Sequence, residues 1–371
     1  MINYAQHNFD KKEIQSVLEL IKSEPIARSK KILDFEYELK KYFKSKYVIS
    51  CSNGTTALEI SLRALGIGKG DEVIVPCMSW ASTATAVSIV GAIPVFIDTD
   101  SHFPNLCLEN VKKAITKKTK AIIPVHFAGN PVNLKDLKNI VKSNSIKIIE
   151  DACHAIGGNF QDNVKIGNSK YSDISCFSFH PAKNITTGEG GALSTNNFFL
   201  AKKILNIRNN GIVRPSSIIK KPYYDCLYLG SNYHITSISA ALGLVQLKKL
   251  DKFIKTRRQL HKYYESKFDD NKLIDIYKHN TNSAFNLCLA NVSNKKLIMS
   301  KLIKYGISIF FHYPILPNLT VYKKKILKSR NASKFPNAIR YCKNAITLPL
   351  HTKLTFKQID YVINAIKNNL K

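Results

Sequence analysis

The chain has 371 residues, of which 44% are hydrophobic, and this globular composition on a chain longer than the roughly 250–300 residues of a single core predicts two domains. No apolar run reaches the roughly 20 residues of a membrane span and no signal peptide opens the sequence, so we expect a cytoplasmic protein without a membrane segment. The formal net charge of +30 suggests an anionic partner, but no zinc finger, RNA-binding signature or basic arm indicates nucleic acid. The charge therefore reflects either lysine-rich solvated helix faces or the attraction of a phosphorylated substrate.

Apolar runs alternate with amphipathic segments through the first half of the chain. Short apolar runs without helical spacing predict strands at residues 47–50, 73–75, 93–97, 121–125, 146–149, 174–179 and 192–194. Apolar residues at helical spacing predict helices at residues 11–23, 33–42, 56–64, 80–90, 108–115, 134–142 and 199–208. Strands separated by helices of about ten residues indicate an α/β fold, with a mostly parallel sheet between two layers of helices.

The second half is predicted to add a smaller α/β domain. Residues 215–230 look irregular, residues 237–267 form a long linking helix, and residues 355–368 form the last helix. Further strands are expected near residues 285–290 and 307–311. We therefore predict a large domain over residues 1–250 and a small C-terminal domain over residues 251–371.

The eight cysteines carry no metal or redox signature. None stands in a CxxC or another metal-ligand spacing. A disulfide framework is not expected in a cytoplasmic enzyme of this size, so most of the cysteines are predicted to pack in the core. The sequence predicts no metal site.

Two polar residues follow apolar strands where a ligand site is expected. Asp151 follows the run 146–149, and Lys183 follows the run 174–179 on a small glycine-rich loop, NITTGEGG. The carboxyl ends of parallel strands form the ligand crevice of such sheets, so the two side chains can converge. Pyridoxal 5′-phosphate (PLP) needs a carboxylate at its pyridine nitrogen and a lysine that forms a Schiff base with its aldehyde. The alternatives are a helix-capping aspartate and a surface lysine.

A third segment, CSNGTTAL at residues 51–58, supplies a candidate phosphate site. Gly54 permits close approach, and Thr55 and Thr56 place hydroxyls where a helix begins, beside backbone N–H groups that favour an anion. A common glycine-containing helix cap is the alternative.

Four more side chains are candidates for the same crevice. The single tryptophan, Trp80, either stacks on the cofactor ring or is a core or interface aromatic. His154 either lies against that ring or is a structural histidine. Ser178 and His180 flank Lys183 at the same sheet edge.

Seven segments in a fixed order resemble the nucleotide-sugar aminotransferase family of fold-type I PLP enzymes, the DegT/StrS type. They cover nearly the whole chain: NGTTALEISLRALGIGKGDEVIVP, PVFIDTD, KAIIPVHFAGNPVNL, IIEDACHAIGG, CFSFHPAKNITTGEGGALSTN, GSNYHITSISAALGLVQLKKL and ITLPLHTKLT. The resemblance implies a fold-type I PLP-dependent transferase. The lysine loop resembles the subgroup that acts on UDP-linked 4-keto-6-deoxy-HexNAc sugars. His234 stands where many relatives have arginine, and residues 26–36 lack a glycine that many relatives have; both differences bear on substrate contacts.

The resemblance also implies roles for individual residues. Lys183 forms the Schiff base, and Asp151 pairs with the pyridine nitrogen. Asn232 reaches the phosphate in the neighbouring subunit, so that a homodimer shares its active sites. The other implied contacts lie at the phosphate or at the ring: Thr55, Thr56, Ser178 and Trp80.

The resulting hypothesis is a PLP-dependent aminotransferase. It moves an amino group from L-glutamate to a keto-sugar, expected to be a 4-keto-6-deoxyhexose, linked to a nucleoside diphosphate, for surface-polysaccharide or glycan biosynthesis. Candidate substrate contacts are Arg208, Arg214, His312 and Tyr313. Alternative acceptors are a cyclitol or a small phosphorylated ketone. A PLP-dependent sugar dehydratase is disfavoured because that branch has histidine in place of the lysine, and a non-enzymatic regulator or nucleic-acid-binding protein has only the net charge in its support.

Overall fold

The computed structural model describes residues 1–142, 145–214, 224–268, 274–326 and 335–369. The helices in these ranges are α1 (Lys11–Ser23), α2 (Lys30–Phe43), α3 (Gly54–Ala64), α4 (Ser82–Ile89), α5 (Leu108–Ala114), α6 (Leu134–Val141), α7 (Phe198–Arg208), α8 (Ser237–Phe268), α9 (Lys295–Lys304), α10 (Thr320–Ile326), α11 (Pro336–Asn344) and α12 (Phe356–Lys367). The strands are β1 (Tyr47–Cys51), β2 (Glu72–Pro76), β3 (Ile93–Ile97), β4 (Thr119–Ile122), β5 (Lys147–Asp151), β6 (Ile174–Ser178), β7 (Gly191–Thr195), β8 (Ile212–Val213), β9 (Asp225–Cys226), β10 (Ile274–Ile276), β11 (Cys288–Val292) and β12 (Ala345–Leu348). Within the described residues, no helix combines the length and the apolarity that a membrane crossing requires.

A seven-stranded sheet in the order β1-β7-β6-β5-β4-β2-β3 forms the centre of the large domain. Neighbouring strands from β6 to β3 are parallel, whereas β7 runs antiparallel between β1 and β6. The strands are apolar along their whole length because helices cover both faces; Val73, Ile74 and Val75 of β2, for example, are fully buried. The predicted α/β class with a mostly parallel sheet is confirmed.

The small domain contains a three-stranded antiparallel sheet in the order β10-β11-β12. The long helix α8 joins it to the large domain, and α8 changes core along its length. Phe253 and Ile254 pack in the large-domain core, whereas Leu260 and Tyr264 pack in the small-domain core. The change of core therefore falls inside α8, between Ile254 and Leu260; the domain boundary at residues 250 and 251 stays a prediction.

The chain begins with an extended segment, residues 2–8, which we call the N-terminal strap. Ile2 exchanges backbone hydrogen bonds with Gly306 and Ser308 (2.9 and 2.7 Å), and Leu350 N–H donates to the Tyr4 carbonyl (3.0 Å). At the other end of the strap, the Asn8 amide donates to the Thr352 hydroxyl (3.1 Å). The first residues of the chain are thus held against the small domain, although α1, which follows them, packs on α8.

Two predictions for the second half need correction. Residues 307–311 do not form a strand; instead, Ile307 makes a single bridge to Ile2 and Phe310 makes one to Thr347. The apolar run there reflects burial against the strap rather than a continuous ladder. The predicted irregular segment lies partly outside the described residues, at 215–223, and its remainder contains β9, which pairs with β8.

Candidate active site

A pocket of about 480 Å³ opens at the carboxyl ends of β1, β2, β4, β5 and β6. Both domains and the N-terminal strap line it. Its lining includes Tyr4, Gly54, Thr55, Ser79, Trp80, Asp151, Cys153, His154, Ser178, His180, Ala182, Lys183, Glu189, Asn286, Phe310, His312 and Tyr313.

Asp151 is the last residue of β5, and its carboxylate is held by a hydroxyl from α4. The side chain is 5% exposed, and its Oδ2 accepts a hydrogen bond from the fully buried Thr83 Oγ1 (2.8 Å). Because the Thr83 hydroxyl donates its single hydrogen to Asp151, it can only accept from the Ser79 hydroxyl, whose Oγ lies 2.8 Å from Thr83 Oγ1. Sequence reasoning missed Thr83, for which the hydroxyl-rich run SWASTAT was the available signal.

Lys183 lies on the loop after β6 and is half-buried in the pocket wall. Its backbone N–H donates to the His180 carbonyl (2.8 Å), which turns the chain back towards the pocket. Burial lowers the pKa of the Lys183 ammonium below its ordinary value, and the nearby Cys153 thiol and Asp151 carboxylate partly oppose this shift. A lysine with a lowered pKa is more often neutral and therefore a better nucleophile.

Two asparagine side chains fix the loop on either side of Lys183. The Asn286 amide donates to the Ala182 carbonyl (3.3 Å) and to the Asn184 side-chain oxygen (3.1 Å). The Asn184 amide in turn donates to the Ala284 carbonyl (2.9 Å). Sequence reasoning missed both asparagines; their contacts join segments about 100 residues apart.

The start of α3 forms a narrow cradle beside Lys183. A Cβ on Gly54 would lie 2.8 Å from the Cys153 sulfur and 2.9 Å from the Ser178 Cβ, so only glycine fits there. Thr55 and Ser178 line the pocket. Thr56 does not line it; its hydroxyl accepts from the Asn53 backbone N–H (3.2 Å), which completes the capping box, and donates to the Asn53 carbonyl (2.9 Å). In the structure the Thr56 hydroxyl thus serves as a helix cap, and its contact with the phosphate stays a prediction.

Trp80 and His154 both line the pocket, and both contact the Tyr313 ring. Trp80 is 56% exposed and meets the Tyr313 ring edge-on at 5.8 Å. An exposed indole on a pocket wall is available for stacking, unlike a core aromatic. His154 is buried; its Nδ1 accepts from Ala128 N–H (3.3 Å), so Nε2 carries the proton towards the Tyr313 hydroxyl (3.1 Å). Burial lowers the pKa of His154 well below its ordinary value, with the Lys183 charge adding to the effect.

His180 and the two predicted substrate contacts His312 and Tyr313 all line the pocket. The His312 Nδ1 lies 2.7 Å from the Thr347 hydroxyl, and burial lowers the pKa of His312 to about 3. His312 is therefore neutral at physiological pH.

The structure does not bring three other predicted residues to the pocket of their own chain. Arg208 is 7% exposed and is held by the Glu36 carboxylate at 2.6 Å, because a buried guanidinium needs a counter-charge. The guanidinium is thus engaged by Glu36 in the core, and the contact of Arg208 with substrate stays a prediction. Arg214 is exposed away from the pocket. Asn232 is also exposed, and it pairs with Asn209 outside the pocket.

These residues fit PLP. Asp151 is a buried carboxylate that makes no ion pair within the described part of the chain, and an unpaired buried charge is costly. A protonated pyridine nitrogen would supply the missing partner. The cradle at Gly54 would admit a phosphate to the N–H groups of α3, and the exposed face of Trp80 would cover a flat ring.

Known proteins match the chain along its length. The sequence model of the DegT/DnrJ/EryC1/StrS aminotransferase family matches residues 7–367. The chain is 32% identical over 374 residues to a UDP-4-amino-4,6-dideoxy-N-acetyl-beta-L-altrosamine transaminase of Campylobacter jejuni, covering 98% of this chain and 96% of that protein. It is 31% identical over 350 residues to a GDP-perosamine synthase of Vibrio cholerae, with 92% and 91% coverage.

Solved structures match the fold as a whole. A protein of Streptococcus pneumoniae assigned as a sugar aminotransferase, in its PMP form, superposes with a TM-score of 0.92 at 30% identity, covering 100% of this chain and 99% of that one. The same protein has been solved in apo and PLP forms.

Proposed function

The chain belongs to the DegT/DnrJ/EryC1/StrS aminotransferase family of PLP-dependent enzymes, and from this premise we propose that it transfers an amino group from L-glutamate to a keto-sugar linked to a nucleoside diphosphate. The observation that carries the proposal is the convergence of Lys183, Asp151 and the Gly54 cradle on one pocket. Two relatives named above are a UDP-amino-sugar transaminase and a GDP-perosamine synthase. A 4-keto-6-deoxyhexose acceptor, for polysaccharide or glycan synthesis, agrees with both names.

Different residues of the pocket would serve different steps of transamination. When bound, PLP supplies an aldehyde that takes up the amino group and a pyridinium ring that withdraws electrons. Asp151, oriented by Thr83, holds the pyridine nitrogen protonated. Lys183 Nζ would hold the cofactor through its aldehyde and, as a free neutral amine, would remove the proton from the amino-bearing carbon of the donor. Its lowered pKa favours the neutral amine that this step needs.

We further propose a homodimer in which Asn232 enters the partner's site. Two features support this arrangement. Asn232 is exposed and lies outside the pocket of its own chain. The nearby side chains of Leu227 and Leu229 are 58% and 82% exposed, and apolar groups exposed to this degree are commonly covered by a partner. The cytoplasmic location that we propose is supported by the eight cysteines, which are all free.

An absorbance spectrum before and after addition of L-glutamate tests the proposal. The wild-type protein with PLP should show a yellow band that bleaches with L-glutamate and returns with a nucleotide-linked 4-keto-sugar. The Lys183→Ala variant should lose the transfer, whereas Lys12→Ala, at an exposed site on α1, should keep it. Amino transfer by the Lys183→Ala protein, or a wild-type protein that stays colourless with PLP, would contradict the proposal.

A further inference from the structure

Five rings line the pocket in an unbroken row. Trp80 meets Tyr313 at 5.8 Å, Tyr313 meets His312 at 4.7 Å, and His312 meets Phe310 at 4.7 Å. The row ends at Tyr4, which stacks on Phe310 with ring centroids 5.2 Å apart and planes 22° apart, and which also meets His312 at 5.7 Å. One end of the row thus lies at the candidate cofactor site, and the other end lies on the N-terminal strap.

Backbone hydrogen bonds hold the strap, and with it Tyr4, in place. Leu350 N–H donates to the Tyr4 carbonyl (3.0 Å), and Ile2 is bonded to Gly306 and Ser308. Tyr4 precedes residues 7–367, the part that the family model matches. Tyr4 therefore lines the pocket from a segment that the family model does not match.

The Tyr4 end of the row is uncharged and open to a ligand. Phe310 is 41% exposed and Tyr4 is half-buried. Burial raises the pKa of the Tyr4 phenol, which stays protonated, and His312 beside it is neutral. Among the described residues, the Tyr4 hydroxyl has no hydrogen-bond partner, so it is free to bond to a ligand. Such a surface suits a flat heterocycle better than the carboxylates of an amino-acid donor.

We propose that Tyr4, backed by Phe310, is a specificity-determining residue that stacks on the nucleobase of the acceptor and donates its hydroxyl to it. This inference rests on the proposed nucleotide-linked acceptor. The keto carbon of that acceptor must react beside the cofactor ring, which we place at Trp80, and the rings of Tyr313 and His312 lie between Trp80 and Tyr4. The part of the acceptor that reaches Tyr4 is therefore the part farthest from the reacting carbon, which is the nucleotide.

Titration calorimetry of the PLP-loaded protein with UDP, GDP, ADP, CDP and dTDP tests the proposal. Loss of a base–aromatic stack typically weakens binding by roughly 5- to 150-fold, and we expect Tyr4→Ala to fall in this range for the nucleotide that the wild type prefers. Tyr4→Phe keeps the stack and loses the hydroxyl, so it should weaken binding by only a few-fold. The control Tyr305→Ala removes an exposed tyrosine outside the pocket and should bind like the wild type.

The bleaching of the cofactor band by L-glutamate, measured on the same samples, separates recognition from structural damage. If Tyr4→Ala binds these nucleotides as tightly as the wild type, or loses the L-glutamate reaction to the same extent as nucleotide binding, the proposal for Tyr4 is wrong. If the wild type reacts with L-glutamate but binds none of UDP, GDP, ADP, CDP and dTDP, the proposed nucleotide-linked acceptor is wrong, and the Tyr4 proposal is wrong with it. The aminotransferase itself would then still stand.

Discussion

Replacement of Thr83 by valine should weaken the hold of Asp151 on the cofactor. Valine keeps the shape of threonine but removes the hydroxyl that donates to Asp151 Oδ2 at 2.8 Å. Thr83 is fully buried and Asp151 is 5% exposed, so water cannot easily replace the lost donor. A hydrogen bond to a charged group contributes about 1.5–3 kcal/mol, and we therefore expect a loss of roughly 10- to 150-fold in PLP affinity or in the rate of reaction with L-glutamate.

Two measurements read out this change. Trp80 is the single tryptophan of the chain and lines the pocket, so quenching of its fluorescence reports PLP binding directly. The bleaching rate of the cofactor band reports the reaction with L-glutamate. Thr85→Val, on the same helix but outside the pocket, is the matched control. If Thr83→Val and Thr85→Val both stay within twofold of the wild type, the hydroxyl does not support Asp151 and our account of the site is mistaken.

Three further predictions concern the cradle, the buried ion pair and pH. Gly54→Ala should abolish PLP quenching of tryptophan fluorescence, because its Cβ would lie 2.8 Å from the Cys153 sulfur. Glu36→Gln should lower the free energy of unfolding by about 3–5 kcal/mol in urea titrations, because it leaves the buried charge of Arg208 unpaired. Burial lowers the pKa of His351 to about 4, so the unfolded chain binds more protons between about pH 6.5 and 4; the melting temperature should fall as the pH is lowered through this window, and less steeply in His351→Asn.

Each of these predictions has a matched control. Gly68→Ala meets nothing closer than the Val90 carbonyl at 3.6 Å and should leave cofactor binding intact. Glu38→Gln changes an exposed carboxylate and should cost little stability. His102→Asn changes an exposed histidine and should leave the pH dependence of melting as it is. Variants that behave like their controls would refute the corresponding argument.

The pattern of apolar runs predicted most of the large domain because its strands are buried on both faces. The predicted bounds of β3 match the structure, and Asp151 and Lys183 share a pocket because both follow strands of the same sheet. Tyr4 and Asn286 could not be found in this way. They enter the pocket through contacts between distant segments, which local periodicity does not encode.

Competition between local interactions explains the remaining differences. Thr56 carries a hydroxyl of the kind that binds phosphate, but that hydroxyl caps α3 together with Asn53. Arg208 has the charge of a substrate contact, but Glu36, which lies 172 residues earlier, neutralises it in the core. Residues 307–311 have the pattern of a strand, yet the backbone beside them is that of Ile2. In each case the sequence shows the residue type, but the partner that the residue contacts is set by the tertiary structure.

The N-terminal strap also constrains how the chain can fold. Ile2 pairs with Ile307, about 300 residues away, so this end of the strap has its partner only after the residues between them have been made. Closing so long a loop carries a substantial entropic cost, and contacts of this separation form late. The large sheet can assemble before that point, but the wall carrying Tyr4 cannot. The pocket thus gains its Tyr4 wall only when the strap reaches Gly306, Ser308 and Leu350, and a pocket with that wall marks a chain in which these distant segments have already met.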